Sequence, residues 1–149
     1  MFTQITTHVI PGAPVKLPRP LVNQLLHFAQ ANPGQEVCGL VGVDRQRFYH
    51  FYPIPNVAET PDNRFEMEPL AQIATLRDMR ERELDLFAIV HSHPGSAAEP
   101  SAADLAEIGY PEALYLIISL NTRGVLEMRG YRLDEQSQTF HEIPLIMQQ

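Results

Sequence analysis

A single cysteine, Cys38, excludes an intramolecular disulfide, so this 149-residue chain cannot rest on a sulfur framework. Basic residues are also in short supply. Eleven Lys and Arg stand against 18 Asp and Glu, for a formal net charge of -7. No basic patch stands out, which argues against a nucleic-acid binder and against an anionic membrane surface as partner. No stretch is long and apolar enough to span a bilayer. The opening MFTQITTHVIPGAPVKL lacks the basic start and apolar run of a secretory signal, so a cytoplasmic protein is expected. Internal repeats, low-complexity tracts and long linkers are missing too. What remains is 44% hydrophobic and 19% charged, an ordinary mix for a globular protein. The length predicts one domain, residues 1–149, able to bury a core.

Proline and periodicity place the elements. Pro11 to Pro20 reads as an extended lead-in, and Pro20 suits a helix start. Leu21, Val22, Leu25, Leu26 and Ala29 recur at helical spacing until Pro33 and Gly34 stop them. Val37 to Val43 reads as a buried strand, paired with Phe48 to Tyr52. After a proline-rich loop, Leu70, Ile73, Leu76 and Met79 mark a second helix with charges on its other face. Leu86 to Val90 is an apolar strand running into His91. Ser101 to Ile108 is a short third helix, and Leu114 to Leu120 a strongly apolar strand. Val125 to Leu133 and Thr139 to Ile146 complete the chain as strands. The expected class is α/β (α+β), with helices on both sides of a curved sheet.

The chemistry concentrates in His91-Ser92-His93-Pro94, followed by Ser101 and Asp104. If the strand continues through His93, His91 and His93 point to one face, because side chains alternate along a strand. Pro94 and Gly95 then turn the chain away, and a helix starting at Ser101 can bring the Asp104 carboxylate back. Two imidazoles and a carboxylate suit zinc, and three protein ligands leave a fourth position open, as catalytic sites require. Ser101-Ala102-Ala103-Asp104 also reads as a capping-box helix start, and the two readings coexist. His8, His27, His50 and His141 are dispersed and receive no role.

A hydrolytic zinc needs a separate base to take a proton from water. Glu36 is one candidate, at the head of an apolar strand where burial raises a carboxylate's pKa. On local sequence alone a solvated residue before a strand is the better reading, and Glu99 is a rival by proximity. Cys38 reads as a small buried core residue.

These residues resemble the JAMM metalloproteases, or MPN-plus domains, whose pattern is a distant Glu, His-x-His-Pro, six residues, Ser, two residues, Asp. Glu36, His91, His93, Pro94, Ser101 and Asp104 satisfy it without a gap. Glu36 to Leu40, Asn63 to Met67 and Tyr115 to Ser119 also look like the family's flanking segments. The resemblance implies a cytidine deaminase-like fold: a curved, mostly antiparallel sheet flanked by helices. It implies one zinc per chain on His91, His93 and Asp104, with Glu36 as general acid/base and Ser101 as oxyanion donor. It decides for Glu36 over Glu99. The implied activity is a metallopeptidase or isopeptidase acting on the tail of a ubiquitin-like or sulfur-carrier protein, of the compact prokaryotic type, some of which release cysteine. A non-catalytic MPN scaffold is the alternative, and the intact set of five residues favours the enzyme. A zinc deaminase would need a Cys-x-x-Cys pair, which one cysteine cannot supply.

Overall fold

The computed structural model describes residues 12–106 and 109–149. Among these residues eleven elements follow in order: β1 (Val15–Pro18), α1 (Arg19–Ala31), β2 (Cys38–Val43), β3 (Tyr49–Ile54), α2 (Pro69–Glu81), β4 (Asp85–His93), α3 (Ala102–Ala106), β5 (Leu114–Ser119), β6 (Glu127–Asp134), β7 (Thr139–Ile143) and β8 (Leu145–Gln148).

Six strands form one sheet in the order β3-β2-β4-β5-β6-β7. Every neighbouring pair is antiparallel except β4 and β5, which run parallel. A parallel pair needs a crossover, and the crossover from β4 to β5 carries α3. The strands β1 and β8 pair separately, also in parallel.

Side-chain alternation splits the core in two. One face carries Val41, Ala88, Val90, Leu116 and Ile118, covered by Leu21, Val22, Leu25 and Ala29 of α1. The other carries Leu40, Ile89, Tyr115 and Ile117, packed against Ala71 and Leu76 of α2 and against Ala98. The runs in β2 and β5 are buried end to end, which is why they read as continuous apolar segments rather than alternating ones. Gly39 is required where β3 crosses closely, since a Cβ there would lie 2.6 Å from the Tyr52 carbonyl oxygen.

Four expectations shift. The lead-in contains a strand, β1, because Val15 to Pro18 finds Leu145 to Gln148 beside it. The final strand divides at Pro144, which has no N–H for a ladder. The strand expected from Val125 starts at Glu127, and Val125 is exposed. On α2, Leu70 and Ile73 point outward, 76% and 54% exposed, whereas Met79 is buried. Steps of three residues fall about 60° short of a full turn, so a stripe read as Leu70, Ile73, Leu76, Met79 winds to the opposite side of the helix. The end of the third helix, at residues 107 and 108, lies outside the described residues, as does His8.

Candidate metal centre

Strand β4 is hydrogen-bonded on both sides and extends to His93. Alternation puts His91 and His93 on the face shared with Ile89, and both are buried. Ser92, between them, faces the other way. There its hydroxyl accepts a hydrogen bond from the Val37 N–H at 2.9 Å, and its own N–H reaches the Val37 carbonyl. That tie continues the β2–β4 contact past Cys38. Two residues before Cys38, Glu36 falls on the same face as the imidazoles and is 4% exposed. Its backbone is fixed by the Pro61 carbonyl and by Asn56, whose amide donates to Glu36 O at 2.9 Å.

The third donor returns from α3. Ser101 N–H donates to Asp104 Oδ2 at 2.8 Å, and Asp104 N–H donates to Ser101 Oγ at 3.0 Å. This is the reciprocal pair of a capping box with Asp in the acidic position. The same Oδ2 lies 3.1 Å from His91 Nε2 and 3.3 Å from His93 Nε2, and the two Nε2 atoms are 3.1 Å apart. One donor atom from each of Glu36, His91, His93 and Asp104 lies within 4.8 Å of the others. Glu99 is exposed and outside that group.

This triangle fits a metal. Tetrahedral bonds of about 2.0–2.1 Å separate ligand atoms by about 3.3–3.4 Å, close to the three edges. His93 Nδ1 meets the Ala97 carbonyl at 2.8 Å, so that nitrogen holds the proton and Nε2 presents a lone pair. His91 is oriented differently: its ring stacks on Phe65, centroids 4.5 Å apart, and its buried Nδ1 has no partner among the described residues. Glu36 Oε1 is likewise buried and unpartnered among them.

Electrostatics separate the two carboxyls. Burial pushes Glu36 up to about 7, with Asp104 adding to the rise and His93 opposing it. Burial also works against the Asp104 carboxylate, but the two imidazoles beside it and the Ser101 N–H outweigh it and hold its pKa far below the usual range. Burial pulls His91 down, favouring the neutral ring a metal needs. Cys38 stands apart. Burial drives its thiol to about 12, and it donates to the Ile54 carbonyl at 3.2 Å, as a core residue would.

The Glu36 shift predicts a pH dependence for metal-free protein. Its pKa rises on folding from 4.5 to about 7, so the folded state binds this proton more tightly. The contribution is complete below 4.5 and is lost as pH climbs through 7. At pH 8, metal-free Glu36→Gln should therefore resist urea better than wild type by about 1–3 kcal/mol. Equal unfolding midpoints would show that ionised Glu36 carries no burial cost.

A cleft of about 300 Å³ opens beside His91 and Asp104, with Phe65, Met67, Ile89, Tyr110 and Tyr115 among its lining residues. Local sequence gave no sign of Phe65 as a ring support. Ser92 did leave a signal: a hydroxyl at a core-facing strand position must find a partner.

A Haloferax volcanii desampylase is 32% identical to this chain over 97 residues, covering 64% of this chain and 70% of the relative. A CysO-cysteine peptidase of Mycobacterium tuberculosis is 26% identical over 132 residues, covering 86% of this chain and 88% of the relative. The solution structure of a Desulfitobacterium hafniense protein, 28% identical, superposes with a TM-score of 0.77 over 90% of this chain and 92% of that one. The family model for prokaryotic homologs of the JAB domain matches residues 18–133, and the chain belongs to that family.

Proposed function

We propose that this chain is a zinc-dependent peptidase that hydrolyses an amide or isopeptide bond at the C-terminal tail of a ubiquitin-like or sulfur-carrier protein in the cytoplasm. The observation that carries this reading is the arrangement of donors: His91, His93 and Asp104 in a triangle of 3.1–3.3 Å edges, with a separate buried carboxyl, Glu36, alongside. A non-catalytic scaffold has no use for such a set. The relatives named desampylase and CysO-cysteine peptidase support the same bond class for this chain.

His91, His93 and Asp104 would hold one zinc. When bound, zinc supplies Lewis acidity that polarises the scissile carbonyl and makes water nucleophilic near neutral pH. Glu36 takes the water's proton and gives it to the departing amine. A carboxyl with a pKa near the working pH suits both transfers. Ser101 Oγ accepts from Asp104 N–H, which leaves the hydroxyl proton free to donate to the oxyanion as charge develops. The cleft beside His91 gives the tail a partly apolar place to lie.

The test is to incubate the protein with the host's small carrier proteins bearing C-terminal extensions and to weigh the products by mass spectrometry. Shortened carriers are expected, metal analysis should give about one zinc per chain, and a chelator should stop turnover. Turnover that survives proven zinc removal would defeat the reading.

A further inference from the structure

Three successive carbonyls between His93 and Ser101 are each captured by a side chain from a different strand. Ser119 Oγ of β5 donates to Ser96 O at 2.7 Å, His93 Nδ1 of β4 to Ala97 O at 2.8 Å, and Tyr131 Oη of β6 to Ala98 O at 2.5 Å. Tyr131 and Ser119 are both buried, and Ala98 has no exposed surface. Ser119 also pairs across the ladder with His93 itself, and the Leu120 N–H reaches the His93 carbonyl. The loop is thus clamped to the sheet at consecutive residues, although Gly95, Ser96 and Ala97 are themselves exposed.

The clamp bears on the metal because the donors come from two places. His91 and His93 ride on one strand, and their spacing is fixed by it. Asp104 is the donor that does not, so its distance from them is set by how this loop is held. A loop free to move would keep the triangle closed for only a fraction of the time. Apparent affinity falls by that same fraction, since an ion binds tightly only to the closed form.

We propose that Ser119 and Tyr131 are positioning residues for the metal, holding the loop so that Asp104 Oδ2 already faces both imidazoles before an ion arrives. The inference rests on the zinc reading given above. Neither residue is a ligand, and neither shows in the motif.

The test is a zinc titration of metal-free protein against a chromophoric chelator. Tyr131→Phe removes one hydroxyl and keeps the ring, and Ser119→Ala removes the other. Each is expected to raise the zinc dissociation constant about tenfold, and the pair about 100-fold, the range seen when groups supporting a ligand are lost. Excess zinc should restore most of the turnover. Ile143→Val serves as the control, because Ile143 is buried on the opposite face of the sheet, away from the loop. It should lower thermal stability and leave zinc affinity unchanged. Wild-type affinity in both hydroxyl variants would overturn the inference. So would an equal loss in the control, which would mean general softening. If Tyr131→Phe does not fold, Ser119→Ala decides alone. Failure of the wild-type protein to bind zinc would remove the metal reading itself, an outcome distinct from the other two.

Discussion

Glu36→Gln is expected to lower kcat by about 10²–10⁴-fold, the usual worth of a positioned general base, while the protein keeps its zinc. The expectation follows from geometry. Three donors already form a closed triangle without Glu36, and its carboxyl sits beside them with one oxygen unpartnered among the described residues. An amide of the same shape removes the proton acceptor and leaves the donors alone. Steady-state kinetics on an extended carrier, with metal analysis on the same preparation, would check both halves. A variant with wild-type kcat would put the base elsewhere. A variant that lost its zinc would make Glu36 a ligand. The same substitution is expected to stabilise the metal-free protein, so a gain in stability and a loss of turnover should come from one change. That opposition is characteristic of a buried functional carboxyl.

Asp104→Asn should weaken zinc binding by more than about 100-fold, beyond the loss expected for groups that merely support a ligand, and abolish turnover at ordinary zinc levels. It separates the two jobs that the zinc reading assigns to Asp104 Oδ2. The carboxylate accepts from Ser101 N–H and faces both imidazoles. An asparagine can still accept from Ser101 through its carbonyl, and so can still cap α3. It cannot offer the charged oxygen that zinc selects. Metal-free Asp104→Asn should still lose some stability, because the lowered pKa marks a carboxylate whose charge the folded state favours. Retained zinc affinity in this variant would remove Asp104 from the ligand set.

The candidate site was legible because its spacing is constrained. Strand parity alone places His91 and His93 on one face, and the turn at Pro94 with the cap at Ser101 brings Asp104 back. Glu36 was not legible in that way. It is distant in sequence, and β2 pairing with β4 brings it to the site by tertiary structure, so only the family resemblance singled it out. The sheet's general character was readable from its apolar runs, but β1 was not, because its partner β8 lies at the other end of the chain. The outward turn of Leu70 and Ile73 marks a different limit. Counting in threes imitates amphipathicity over one turn and fails over three. The capture of three consecutive carbonyls left no trace in the sequence, since each donor belongs to a different strand.

Both imidazoles ride on a strand bonded to neighbours on either side, and this has a cellular consequence. Sheet and core, rather than an ion, hold the chain in shape, unlike small domains that collapse when stripped. On the zinc reading proposed above, a cell starved of the ion would keep an intact but silent protein instead of passing it to quality control. Activity could then return as quickly as the ion does, with no new synthesis.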